Sequence, residues 1–328
     1  MKNSNRSGIR VCILPALWLA LSGPVLGALA AGDQIAAGVA VPAMQARLAA
    51  KVPLTGIVRA GKLLVAVGDY GTIVRSADEG ASWQQAEVPV STLLTAVHFI
   101  DDVRGWAVGH GGVILATTDG GASWQLQAEL DERPVLLSVH FADARRGYAV
   151  GAYGAAHRTE DGGLTWTPMA VGSGRDADMH LNHIFSTREG ALYIAAETGL
   201  AFRSRDGGAS WDALETGVTG SLWSGLERDG EVLLLGMSGK VIASRDGGDH
   251  WQAIETGTEQ SLTAGMALAD GGLIVVGAGG VVLRANGSGP LALEIRGDRQ
   301  NLAAVAIAPS GNLVVAGQLG VERLAPAH

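Results

Sequence analysis

An eight-residue motif recurs five times in this chain: a Ser or Thr, an Asp two positions later, a Gly four positions later and a Trp seven positions later. The copies are SADEGASW (76–83), TTDGGASW (117–124), TEDGGLTW (159–166), SRDGGASW (204–211) and SRDGGDHW (244–251). Successive Trp residues are 41, 42, 45 and 40 residues apart. Self-similarity at this period predicts an array in which each repeat is one supersecondary unit.

A second pattern, two apolar runs joined by a tight glycine turn, precedes each motif and then recurs twice without it. It extends the count to seven units, whose turns end at Gly71, Gly112, Gly154, Gly199, Gly239, Gly280 and Gly320. Their spacing is 41, 42, 45, 40, 41 and 40 residues. Each unit therefore has a first apolar segment, such as Leu94 to Phe99, two strands around the turn and a fourth strand starting at the Trp. Four short strands per 40-odd residues are typical of a propeller blade.

The chain is therefore expected to be all-β, with residues 54–328 forming a seven-bladed β-propeller of four-stranded blades. The seventh unit ends at His328, soon after its third strand. An open ring would expose strand edges, so an N-terminal strand is expected to close it. We assign residues 31–53 to closure and linker, with Gln34 to Val41 as the missing strand and Ala43 to Lys51 as a helical bridge to blade one.

The first 30 residues have the pattern of a secretory signal peptide. Lys2, Arg6 and Arg10 precede an apolar stretch from Val11 to Leu21, which is too short to span a bilayer, and 28–30 reads Ala-Leu-Ala. Cleavage is predicted after Ala30, and the alternative is an uncleaved anchor. No later segment predicts a membrane span, and the expected localisation is periplasmic.

The remaining composition narrows the function classes. The single cysteine, Cys12, lies inside the predicted signal, so the mature chain would have no disulfide, thiol nucleophile or cysteine-bound metal. Removal of residues 1–30 leaves 21 basic against 32 acidic residues, a net charge of −11. Such an acidic protein is a poor candidate for nonspecific nucleic-acid or anionic-membrane binding.

The repeated motif resembles the Asp box of bacterial neuraminidase repeats, and its chemistry predicts a hairpin device. The Asp carboxylate accepts turn amides, Gly tolerates positive φ and Trp covers the hairpin. Five equivalent copies argue against catalysis, which needs unlike groups at one point. The alternative for any one copy is a surface contact. The structural residues are Asp78, Trp83, Asp119, Trp124, Asp161, Trp166, Asp206, Trp211, Asp246 and Trp251.

A glycosidase reading finds little support in the other residues. A sialidase needs an arginine cluster, a Tyr–Glu nucleophile pair and an acid/base Asp, and the Arg-Ile-Pro sequence of that family is absent. Of the four tyrosines, Tyr148 and Tyr193 lie within apolar runs, where core packing is expected. Sequence places no carboxylate pair of the kind glycosidases use. A sialidase-like hydrolase and a carbohydrate-binding propeller remain the alternatives.

Blades two and three share a longer string, VHFIDDVRGWAVGHGGVILATTDGGASW (97–124) and VHFADARRGYAVGAYGAAHRTEDGGLTW (139–166). This combination, at fixed spacing, resembles the photosystem II stability/assembly factor family, over about residues 54–325. The resemblance implies a lumenal seven-bladed propeller without enzymatic activity or cofactor, acting as a scaffold or chaperone for a membrane protein. It does not imply photosynthesis: in a heterotrophic bacterium the partner would be another envelope complex or transporter. We expect a monomer that binds a protein partner and no nucleic acid.

Unlike residues on a repeated frame are what a recognition surface needs. The glycine turns and the blade-to-blade connections should share one face of the propeller, and the longest connection contains GSGRDADMHLNH (172–183). The candidate contact residues on this face are Asp69, Tyr70, His110, Tyr153, Glu197, Arg175 and His180. The alternative is ordinary solvated turn chemistry. The spacing of Asp176, Asp178, His180 and His183 matches no established metal-ligand pattern.

Four arginines occupy one blade position, four residues after the turn glycine: Arg75, Arg158, Arg203 and Arg284. The assembly-factor resemblance implies a basic patch that faces the client, which makes these four further candidates. The alternative is an outer-strand residue whose stem packs on a neighbour while its guanidinium reaches water.

Overall fold

The computed structural model describes residues 41–324, and these form a β-propeller of seven antiparallel sheets. The described chain contains no helix long and apolar enough to cross a membrane. In each blade the strands lie in chain order, and each inner strand packs beside the inner strand of the next blade. The predicted fold class is confirmed. The predicted signal peptide (1–30) and residues 31–40 lie outside the described residues.

The first four blades each have four strands. Their bounds are β1 (Leu54–Ala60), β2 (Leu63–Gly68), β3 (Ile73–Ser76), β4 (Gln84–Gln85), β5 (Leu94–Phe99), β6 (Gly105–Gly109), β7 (Val113–Thr117), β8 (Gln125–Glu129), β9 (Leu136–Phe141), β10 (Gly147–Gly151), β11 (Ala156–Thr159), β12 (Thr167–Pro168), β13 (Leu181–Ser186), β14 (Leu192–Ala196), β15 (Leu200–Ser204) and β16 (Asp212–Glu215).

The last three blades differ in their outer strands. Their bounds are β17 (Leu222–Arg228), β18 (Glu231–Gly236), β19 (Val241–Ser244), β20 (Gln252–Ile254), β21 (Leu262–Ala267), β22 (Leu273–Gly277), β23 (Val281–Ala285), β24 (Ala292–Ile295), β25 (Leu302–Ile307), β26 (Leu313–Gly317) and β27 (Gly320–Arg323). Blade six keeps its fourth strand without the Trp motif. Blade seven has three strands within residues 41–324.

Within residues 41–324 the helical segments are all short 3₁₀ helices. They cover Ala49–Lys51, Asp69–Gly71, His110–Gly112, Ala152–Gly154, Gly174–Asp178, Glu197–Gly199 and Ala278–Gly280. Five of them are glycine turns between the second and third strands of a blade. At Gly71, where φ is 68°, a Cβ would also collide with the carbonyl oxygen of Val90 in the connection to blade two. The turn glycines are therefore required by both backbone conformation and close packing.

Each inner strand has an irregularity after its first residue, where the pairing with the second strand shifts register. In several blades the bulged residue carries a polar side chain that reaches the next blade. Thr55 Oγ1 donates to Leu94 O at 2.7 Å, Thr95 Oγ1 to Leu136 O at 2.6 Å and Thr263 Oγ1 to Leu302 O at 2.7 Å. The bulges thus join neighbouring inner strands around the ring.

The hydrophobic core is divided into seven clusters, and each lies between two adjacent blades. The motif Trp of a blade packs in the cluster shared with the preceding blade: Trp124 joins blades one and two, Trp166 blades two and three, and Trp211 blades three and four. In blade six Leu291 takes the corresponding place against blade five. Both faces of the blades are therefore buried, which accounts for the near-continuous apolar runs of the sequence.

The ring closes between blades seven and one through the same kind of cluster, with Leu64 and Val74 packing on Val314 and Ala316. Arg323 Nε donates to Glu79 O at 2.8 Å on one face of this junction. On the other face the backbone of Ala50 covers Gly320, as Val90 covers Gly71 in blade one. The N-terminal segment therefore supplies the connection into blade one.

Residues 41–48 follow a different path from the predicted helical bridge. Ala43 N donates to Val88 O at 3.0 Å and Gln45 Nε2 to Ala86 O at 3.1 Å, so this stretch is irregular and lies along blade one. Within this stretch Ala49–Lys51 forms a 3₁₀ turn, and the residues before it donate to blade one instead of to one another, as Ala46 N does to Gln85 Oε1 at 2.8 Å. The expected closing strand at 34–41 lies, except for Val41, outside the described residues and stays a prediction.

Two deletions, of residues 31–45 and of residues 31–40 alone, separate the roles of the predicted closing strand and of the stretch that follows it. Removal of residues 31–45 deletes buried Ala43 and the Gln45 hydrogen bond, and we expect a fall in Tm of about 2–4 °C for each kcal/mol lost. Removal of residues 31–40 alone should also lower Tm if 34–41 supplies a fourth strand to blade seven. Calorimetry of both variants checks this. A Tm unchanged by the shorter deletion would rule out the closing strand.

Candidate functional site

The Asp-box hairpins are organised by a carboxylate with a hydroxyl on each side. In the first box Ser76 Oγ donates to Asp78 Oδ1 at 2.8 Å, and Gly80 N donates to Ser76 Oγ at 2.8 Å. Ser82 N and Ser82 Oγ donate to the two oxygens of Asp78, at 2.8 and 2.6 Å. The other four boxes repeat this arrangement, and in the fifth His250 Nδ1 lies 2.7 Å from Asp246 Oδ2 in place of the hydroxyl.

These hydrogen bonds favour the ionised carboxylate. The Ser82, Thr165 and Ser210 hydroxyls, followed by the backbone N–H groups of the same residues, lower the pKa values of Asp78, Asp161 and Asp206 from 3.8 to about 2. At Asp119 partial burial opposes the shift, but hydrogen bonds from Ser123 and Thr117 outweigh it and the pKa is again about 2. All five carboxylates are committed to their own hairpins, which supports the predicted structural role.

The boxes also join blades. The third, fourth and fifth hairpins accept hydrogen bonds at their backbone carbonyls from side chains of the preceding blade. Gln127 Nε2 donates to Gly162 O at 3.0 Å, Tyr148 Oη to Gly207 O at 3.0 Å and Tyr193 Oη to Gly247 O at 2.8 Å. Tyr148 and Tyr193 are buried, as their apolar contexts predict. Their hydroxyls hold structure, so neither is free as a nucleophile.

The four candidate arginines lie one per blade, on the third strands of blades one, three, four and six. Arg203 is only 6% exposed: its Nη1 donates to Gly247 O at 2.6 Å and to Asp249 Oδ1 at 2.8 Å in blade five. The Nε atom of Arg284 lies 3.7 Å from Oε2 of Glu294. Arg75 and Arg158 are half-buried and have no ion-pair partner within residues 41–324. Arg203 therefore joins blades four and five, and its guanidinium charge is already paired with Asp249 and not available to a partner protein.

The face of the propeller opposite the Asp-box hairpins is formed by the glycine turns and the blade-to-blade connections, as predicted. We call it the glycine-turn face. The first residue of every glycine turn donates its N–H to a carbonyl just before the inner strand of its own blade, as Asp69 does to Pro53 O at 3.1 Å and His110 to Leu93 O at 2.9 Å. The turns are consequently held rigidly against the ring.

Two tyrosines stand out on this face. Tyr70 and Tyr153 occupy the middle positions of their turns, with φ values of 58° and 54°, and are 70% and 78% exposed. A bulky residue in the left-handed region is uncommon and costs free energy, so it suggests a role other than folding.

The longest connection packs beside Tyr153. The Tyr153 ring lies edge-on to His180 with centroids 4.7 Å apart, and His180 N donates to Glu197 Oε1 at 3.0 Å. The 3₁₀ turn Gly174–Asp178 carries Arg175, which is exposed, and contacts the turn that bears Tyr153. The structure thus brings together four predicted residues, Tyr153, Arg175, His180 and Glu197, which we call the rim cluster. Asp69, Tyr70 and His110 lie on the same face at blades one and two.

A feature that sequence reasoning missed is the central channel, a cavity of about 450 Å³ lined by the inner strands. His98, His140 and His183 line it, and burial lowers their pKa values to about 4, 3 and 4. Repeated His in the inner-strand segments VHF and LNHIF was the available signal. The channel lining contains no Asp, Glu, Lys or Arg within the described residues, and the described side chains form no cluster suited to a metal ion.

These features define a seven-bladed propeller fastened by Asp-box hairpins. The sequence model of the family described as photosynthesis system II assembly factor YCF48 matches residues 74–133 and 126–281, which together span more than half of the chain. The chain therefore belongs to the YCF48 family. No curated protein sequence matches it.

Solved structures agree on the fold. YCF48 bound to D1 peptide is 17% identical, with a TM-score of 0.70 over 85% of this chain and 95% of that one. YCF48 from Cyanidioschyzon merolae is 16% identical, with a TM-score of 0.67 over 86% of this chain and 98% of that one. A streptogramin B lyase, 9% identical, reaches a TM-score of 0.74 over 84% of this chain and 93% of that one. At these identities the likeness concerns the fold.

The lowered Asp-box pKa values predict a pH-dependent contribution to stability. Because the carboxyl pKa falls from 3.8 to about 2 on folding, the contribution is present above about pH 4 and is lost as the pH falls toward 2. Asp161→Asn cannot accept both Thr165 bonds and should lower Tm by several degrees at pH 7.

The Tm difference between wild type and Asp161→Asn should shrink between pH 4 and pH 2, as thermal melts would show. Glu189→Gln is the control, since Glu189 is an exposed carboxylate on a loop. A difference that stayed constant down to pH 2 would contradict the assignment of these bonds to the ionised form.

Proposed function

We propose that this protein is an exported, non-catalytic assembly factor that uses the glycine-turn face to bind a protein partner. The partner would belong to a membrane-protein complex or transporter, and binding would occur on the periplasmic side, or in the lumen in a photosynthetic source. Membership in the YCF48 family supports an assembly role. A family relative has been solved with a D1 peptide bound, which supports a polypeptide as the ligand class.

The observation that carries the proposal is the presentation of Tyr70 and Tyr153. Both rings are exposed at the middle of left-handed turns whose backbones are anchored to the ring. Tyrosine is enriched at binding hot spots because it combines a large contact area with a hydroxyl and loses little entropy. A rigid turn lowers that cost further.

The central channel supports a non-catalytic role. Glycoside hydrolysis usually requires two carboxyl groups at a defined separation, and the channel wall within the described residues is made of apolar, small polar and histidine side chains. The five Asp-box carboxylates accept hydrogen bonds within their own hairpins. A screen with fluorogenic sialosides and other glycosides tests this, and turnover would overturn the proposal.

Export is proposed from the N-terminal pattern of basic residues, an apolar stretch and Ala-Leu-Ala at 28–30. N-terminal sequencing of protein recovered from the cell envelope would test it. A mature chain that starts at Ala31 is the expected result, and recovery of uncleaved protein in the cytoplasm would contradict export.

Partner capture tests the binding face directly. Full-length protein is used to pull partners from detergent-solubilised envelopes of its own organism, with bound proteins quantified by mass spectrometry. Tyr70→Ala together with Tyr153→Ala should reduce capture at least tenfold, because truncation of a buried aromatic contact commonly costs about 2 kcal/mol or more. The matched control is Leu164→Ala, which removes a side chain of 76% exposure from an Asp-box turn on the opposite face.

Equal capture by the tyrosine variant and wild type would exclude the glycine-turn face at these positions. Loss of capture by Leu164→Ala alone would move the binding surface to the Asp-box face. Thermal melts of all variants guard against unfolding as the cause.

A further inference from the structure

A cleft of about 570 Å³ opens on the glycine-turn face beside the rim cluster. One wall is the connection between blades two and three, with Leu130, Asp131, Glu132, Pro134 and Val135. The other wall is formed by blade three itself, where Tyr153 stands at the edge. The ring of Tyr153 therefore separates the cleft from His180.

The cleft lies beside the short outer strand of blade three. Strand β12 has two residues and ends at Pro168, whereas β8 of blade two has five. Pro168 has no N–H to donate, but Met169 N after it still donates to Ala156 O of β11 at 2.8 Å. The chain then turns away toward the long connection, and the space beside β11 is lined by Ala156, His157 and Met169.

The chemistry of the walls is apolar with one acidic side. Leu130, Pro134, Val135, Trp166 and Met169 provide the apolar surface. Asp131 and Glu132 are exposed, and neither has an ion-pair partner within residues 41–324. Arg133, which follows them in the chain, pairs instead with Glu129, with Nη2 3.0 Å from Oε1. The acidic side is therefore left without compensation by the neighbouring cation.

The cleft also contains a polar atom that accepts or donates no hydrogen bond within the described residues. His157 lies in the wall, and its buried Nδ1 has no hydrogen-bond partner among the described residues. Buried polar atoms of native proteins usually have a partner, so an unpaired one beside a cleft is consistent with a ligand.

We propose that this cleft binds an extended segment of the partner protein that carries a Lys or Arg next to a large apolar side chain. The apolar side chain packs between Leu130 and Met169, and the cation lies against Asp131 and Glu132. Pockets of this volume accommodate a few side chains, and charge complementarity sets register and specificity. The inference rests on the proposed protein-binding function and adds the chemistry of the segment that is recognised.

An array of nine-residue peptides tests the proposal with purified full-length protein. All positions are Gly or Ser except a central pair, which combines Arg, Glu or Ser with Leu, Phe or Ser. Peptides that pair Arg with Leu or Phe should bind at least tenfold more tightly than those that pair Glu with the same residue. The preference should weaken as salt is raised from 50 to 300 mM, because exposed charges are screened.

Variants locate the site. Asp131→Asn with Glu132→Gln should reduce binding of the Arg–Leu and Arg–Phe peptides about tenfold. The matched control is Glu255→Gln with Glu259→Gln, which makes the same change of charge at the corresponding pocket of blade five and should leave binding unchanged. Equal binding of the Arg and Glu peptides would overturn the proposal, as would equal loss in both pairs of variants.

The envelope capture experiment separates this inference from the proposed function. If Asp131→Asn with Glu132→Gln captures partners as wild type does and the Arg peptides do not bind, the cleft proposal fails while the assembly role stands. If the peptides bind as expected but the wild-type protein captures no partner from envelopes, the proposed function fails instead.

Discussion

Burial of each blade against its two neighbours is the constraint on which the rest of this molecule depends. The seven hydrophobic clusters each belong to a pair of blades, and none belongs to one blade alone. A single four-stranded sheet of this size would leave both apolar faces in water. The unit that folds stably is therefore the ring, and the junction of blades seven and one must be as well packed as any other.

Polar interactions reinforce the same junctions both near the axis and at the periphery. Near the axis the bulged Thr55, Thr95 and Thr263 bond to the next inner strand. At the periphery Tyr193 donates to the Gly247 carbonyl in the Asp box of the next blade, and Arg203 pairs with Asp249 of the same box. The box is thus a hairpin stabilised by its own carboxylate, and its Trp packs in the cluster shared with the preceding blade.

Periodicity alone predicted the seven blades, the strand order and the opposite placement of glycine turns and Asp boxes, because these depend on residues close in sequence. The burial of Arg203 and the channel histidines were missed, because both depend on where one blade meets another. Arg203 and Asp249 are 46 residues apart, and only the ring geometry brings them together. The rim cluster was predicted as separate residues, and its edge-on Tyr153–His180 contact depends on how the long connection folds back.

The different roles of the Asp-box face and the glycine-turn face follow from how neighbouring blades are joined. On the Asp-box face the polar groups of the repeated residues are engaged in contacts between blades. Few of them therefore remain available to bind a partner. On the glycine-turn face a backbone N–H at the start of each turn anchors the turn to the carbonyl just before the inner strand of its blade. This anchor does not involve the side chains at the middle of the turns, so those side chains can differ from blade to blade. Tyr70 and Tyr153 occupy such positions with a left-handed backbone, which glycine would adopt without the cost that a side chain adds.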